Sequence, residues 1–108
     1  MEFLRRTDSS WKKAYYRFHS EPFQFGSSAS WVTDGGKVTL VDAVKNSGFY
    51  VSMDKKGRQL LKFLGKDTGV FVLIIDDSFD YKIDFEYEDL SRWRISKLNG
   101  GTGIPAGL

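Results

Sequence analysis

Trp11, Lys13, Tyr15, Arg17 and His19 alternate ring, cation, ring, cation and imidazole at a spacing of two. On an extended strand that spacing puts all five on one face. Rings that stack on bases and cations that follow phosphates hold single-stranded nucleic acid without reading its sequence. Arg92, Trp93 and Arg94 repeat the pairing, with Lys97 beyond, and Lys55, Lys56 and Arg58 form a third basic group. Brought together, these patches would create local positive potential despite a net charge of only +2. The nucleic-acid-binding residues expected from sequence are therefore Trp11, Lys13, Tyr15, Arg17, Arg92 and Arg94.

The opposite sign is concentrated at 76–89, with seven acidic residues and one basic. Asp76, Asp77 and Asp80 fall in a turn, and hard cations favour several carboxylates from one loop. The glycine and glutamate of a twelve-residue calcium loop are missing there, so no metal site is expected. Asp80, Asp84, Glu86 and Glu88 share one parity and form an acidic face fit to dock a basic protein, in an inhibitor or adaptor role. A plainer reading joins the two surfaces. If strand 11–19 lies beside strand 79–88, Lys13 and Arg17 sit across from Asp84 and Glu86, each pair contributing about 0.2–1 kcal/mol on a solvated exterior. Strand order decides between these readings.

Catalysis finds little support in the residue types. His19 is the only histidine, and no spacing pairs it with a serine nucleophile. Cysteine is absent, which excludes disulfides, thiolate zinc sites and cysteine nucleophiles. The glycine-rich stretches 65–69 and 100–103 lack the Lys-Ser/Thr ending of a phosphate loop. A non-catalytic binding module without a cofactor is the expectation, and a small-ligand barrel would need a deep pocket with convergent polar groups.

The elements that must position these residues follow from periodicity. Ala14, Tyr16 and Phe18 alternate against the Trp11–His19 set and are expected in the core, leaving Trp11 exposed. Residues 79–88 alternate for ten positions, the pattern of a half-buried strand. The β-branched and aromatic run 69–75 before it reads as a central strand, joined through Asp76-Asp77-Ser78 as a hairpin. Asp34-Gly35 marks a second hairpin over 29–42. Residues 48–53 and 91–97 read as further strands. The stretch 54–64 favours a hairpin over a short helix capped by Asp54, because Gly57 would interrupt a first helical turn.

The sum is an all-β or β-dominated α+β chain: a small antiparallel meander barrel or sandwich of seven to eight strands, with a short helix at 54–64 as the alternative. A single domain is expected over 1–98, with 99–108 a flexible glycine-rich tail. Exposed strand edges would allow two copies to pair. MEFLRR is not followed by a long apolar run, no stretch approaches the roughly 18 apolar residues of a membrane span, and cysteine is unused. These features lead to an expectation of a cytoplasmic protein with no membrane partner.

Overall fold

A computed structural model describes residues 11–22, 24–41, 46–66, 68–78, 80–95 and 102–106. Phe79, Lys97, Gly100 and Gly101, each used in the sequence reading, lie outside them. The chain is β-dominated, with β1 (Trp11–Glu21), β2 (Gln24–Thr33), β3 (Val38–Leu40), α1 (Ser47–Phe63), β4 (Gly69–Asp76) and β5 (Tyr81–Glu86). Among the described residues, five strands form one antiparallel sheet in the order β3-β2-β1-β4-β5. This corrects the expectation of seven to eight strands in a barrel or sandwich, since the sheet does not close. It also corrects the simple meander. After β3 the chain crosses through α1, and β4 enters beside β1 on the opposite side from β2.

Two expected strands take other forms. The expected strand at 48–53 and the expected hairpin at 54–64 fall in one continuous helix of 17 residues, α1, which ends at Phe63 with Leu64 as its C-cap. Phe49, Tyr50, Met53, Leu60 and Leu61 all pack into one core cluster, the stripe of an amphipathic helix. Gly57 does not interrupt it. A Cβ there would meet the Phe18 ring at 3.1 Å, so glycine lets the helix backbone press onto a fully buried ring. Asp54 is not a cap but sits within α1, where its Oδ1 accepts from Tyr16 Oη at 2.6 Å and Ser27 Oγ at 2.5 Å. These bonds tie the helix to β1 and β2. Residues 91–93 form a turn, not a strand, and Trp93 has a φ of 61°.

The sheet is covered on both faces. On the helix side Tyr16, Phe18, Ala29, Trp31 and Phe71 form the main core with Tyr50 and Leu61. On the other side Val70, Val72 and Trp93 form a smaller cluster, with Ile74 and Leu90 packed against it. The segment after β5 thus shields a face that would otherwise be wet. Ser30 Oγ, buried in β2, donates to the Gly103 carbonyl at 2.6 Å, and Gly103 and Pro105 are buried. Residues 102–106 are seated against the sheet.

Candidate functional site

The strand that carries the alternating rings and cations is the centre of the sheet, flanked by β2 and β4. Its register sets Lys13 opposite Asp76 and Val32, and Arg17 opposite Val72 and Ser28. Strand β4 separates β1 from β5, so Asp84 and Glu86 are not cross-strand partners of Lys13 and Arg17. The two surfaces do not neutralise each other as neighbouring strands.

The β1 face is nevertheless largely covered. Tyr15 and Arg17 are 8% and 7% exposed, and Arg17 lies beneath the segment that follows β5. Arg17 Nε donates to the Arg92 carbonyl at 2.8 Å, and its Nη2 donates to the Leu90 carbonyl. Trp11 is buried as well, but in the helix-side core. A register shift between Trp11 and Lys13 breaks the alternation and turns Trp11 to the other face. This corrects the expectation that Trp11 is exposed. Lys13, Arg92 and Arg94 are exposed. Arg92 pairs with Glu86 at 2.9 Å and lies over the Trp93 ring at 4.7 Å.

The acidic residues are partly engaged. Lys82 reaches Asp84 at 3.3 Å and Lys12 reaches Asp77 at 2.9 Å. Asp76 Oδ1 accepts from the amides of Ser78 and Asp80, closing the turn before β5. The Glu86 carboxyl is held below its ordinary range by the Glu88 amide and then by Arg92. Asp80 and Glu88 remain exposed. Among the described residues, no three carboxylate or histidine side chains converge as metal ligands would.

A larger recess lies elsewhere. A groove of about 980 Å³ runs between α1 and the β1–β2 hairpin end. One wall carries Lys55, Arg58 and Lys62, with Lys66 just past the helix. The spacings of three and four hold Lys55, Arg58 and Lys62 within one helical stripe, and Lys66 follows the chain turn at Gly65. The other wall carries Phe25, which is 45% exposed, with the Arg58 guanidinium 4.8 Å from its ring centre. Lys66 lies 4.8 Å from the Tyr87 ring centre, and Phe63 at the end of α1 is 86% exposed. Among the described residues, Lys55, Lys62 and Lys66 make no ion pair.

Sequence reasoning reached Lys55, Lys56 and Arg58 but placed them in a turn. It missed Phe25, Lys62, Lys66 and Tyr87. The signal was the basic recurrence at 55, 58, 62 and 66, which has meaning only once the stretch is read as a helix. The apolar cavity under Tyr16, Phe49 and Met53 holds only about 40 Å³. That is far below the roughly 300 Å³ of a small-molecule pocket. No family model matches the chain, and none of the curated proteins or solved structures compared with it matches.

Proposed function

We propose that the protein is a non-catalytic module that binds single-stranded nucleic acid, and that the α1 groove holds the strand. The observation that carries this reading is the row of Lys55, Arg58, Lys62 and Lys66 along one groove beside an exposed Phe25. Cations in a row follow phosphates, and rings at their side give bases a surface on which to stack. The β1 face, with Tyr15 and Arg17 buried, contributes less than its alternation promised. Fluorescence anisotropy with labelled oligonucleotides tests the proposal. The double variant Lys55→Glu, Lys62→Glu should weaken binding at least tenfold, and Phe25→Ala by about five- to a hundredfold, the range of one lost base–ring stack. Lys13→Glu should leave binding within about twofold, as expected for a charge outside the phosphate contacts. Equal losses from Lys13→Glu and from the groove variants would move the site away from α1.

A second reading rests on β5. It ends the sheet order, and its outer edge has no strand partner among the described residues. Tyr81 is 70% exposed there, beside exposed Asp80. An acidic edge with an exposed ring suits a basic protein that adds a strand. Asp84 and Glu86 are already paired with Lys82 and Arg92, so Asp80 and Glu88 would carry the contact. Reversal of charge at Asp80 and Glu88 that left a captured basic partner fully bound would remove this reading.

A further inference from the structure

A separate recess of about 400 Å³ opens on the face of the sheet opposite α1, lined by Arg17, His19, Glu21, Ser28, Ser91 and Arg94, together with apolar atoms of Leu90 and Ile95. Its lining carries two guanidiniums against one carboxylate, with the Asp89 carboxylate close enough to act on both guanidiniums from outside it. Arg17 is buried, yet its Nε and Nη2 are held by backbone carbonyls, which supply hydrogen bonds without a negative charge. Its Nη1 has only a 3.4 Å contact with His19 Nδ1. Neither Arg17 nor Arg94 makes an ion pair among the described residues. The Ser28 hydroxyl makes no hydrogen bond among them. Asp89 acts on both guanidiniums without an ion pair to either, and since a buried charge with no contacting counter-charge is costly, an anion entering the recess would supply that contact.

We propose that this recess is an oxyanion site that takes a phosphate group, held by Arg17 Nη1, Arg94 and the Ser28 hydroxyl. Phosphate suits the donors because guanidiniums offer it directed, charge-assisted hydrogen bonds. His19 stands at its wall and acts as the reporter. Burial, then Arg17, lowers its pKa, with Arg94 adding to the lowering, while Glu21 and Asp54 oppose it. A dianion beside the ring adds a strong opposing influence, so occupancy should raise the His19 titration midpoint.

The experiment is an NMR titration of the intact chain, following the His19 ring at matched ionic strength in chloride, inorganic phosphate, O-phosphoserine or acetate. A saturable shift with a raised His19 midpoint in either phosphate form supports the site. Tighter binding of phosphoserine identifies a phosphorylated ligand, and tighter binding of inorganic phosphate identifies the free ion. Arg94→Gln and Ser28→Ala should retain the fold, and Arg94→Gln should weaken the phosphate response about tenfold or more, as expected for a lost hydrogen bond between charged groups. The groove variant Lys62→Glu should leave the response unchanged, which keeps this test independent of the α1 reading. An identical His19 midpoint in chloride and phosphate would overturn the proposal. So would a response as strong in acetate, or one untouched by Arg94→Gln.

Discussion

Gly57 decides how closely α1 approaches the sheet. Its replacement by alanine raises helix propensity by about 1 kcal/mol, but the added Cβ meets Phe18, which is fully buried and packed against Phe71 at 5.5 Å between ring centres. Overpacking a core costs about 1–3 kcal/mol. Gly57→Ala should therefore lower stability by about 1 kcal/mol in denaturant unfolding, where an exposed helical glycine would gain from the same change. His19 sets a second expectation. Its ring lies over Gly26, at 2.7 Å from where a Cβ would stand. Burial and then Arg17 hold its pKa below the ordinary 6.5. Above 6.5 the ring is neutral in both states. As pH falls below 6.5 the unfolded chain takes up a proton that the folded chain still refuses, so stability is lost until the lower folded pKa is reached. Unfolding free energies measured from neutral pH downward should show this decline, and His19→Gln should flatten it.

At the scale of elements, the turn at Leu90–Trp93 is the least expected part of the fold. A bulky residue with positive φ costs on the order of 1–3 kcal/mol. Trp93 keeps this conformation because its ring is buried on Val70 and Val72, while Arg17 holds the carbonyls of Leu90 and Arg92. Trp93→Ala should cost about 3–5 kcal/mol and raise amide exchange in β4 and residues 102–106. Trp93→Gly relieves the φ but loses the same ring, so it should rescue only a small part. Sequence periodicity was a good guide to β1, β4 and β5, and Asp34-Gly35 marked the β2–β3 turn, because those signals are local. It failed where a partner far along the chain decides. Gly57 signals a turn unless Phe18 is known to lie beneath it. Trp11 alternates outward unless the bulge beside it is known. Residues 91–97 alternate like a strand, but Val70 and Val72 already have sheet neighbours and needed only a cover. For the same reason the basic row 55, 58, 62 and 66 stayed hidden until α1 was continuous.

For the whole molecule, charge is sorted to different surfaces more than its sum suggests. The α1 groove is basic, the β4–β5 turn is acidic, and the net charge is +2. Binding through four groove cations should therefore be salt-sensitive. With a slope of about −0.7 per phosphate for a single strand, raising salt from about 50 to about 200 mM should weaken affinity roughly fiftyfold. Anisotropy titrations at the two concentrations measure this directly, and a loss under threefold would count against the groove. Both faces of the sheet are covered and its central strand is β1, so each end of the sheet order, β3 and β5, is where a further strand would add.

The central place of β1 has a consequence during synthesis. β1, β2 and β3 can zip together as soon as they leave the ribosome, but the other edge of β1 must wait for β4. From the end of β3 at Leu40 to the end of β4 at Asp76 the chain grows by 36 residues, or about 2–7 s at the usual elongation rates of roughly 5–20 residues per second. For that interval the strand that will become the best protected in the molecule is an open, ring-lined edge. A nascent chain halted after residue 66 should therefore be far stickier than the finished protein.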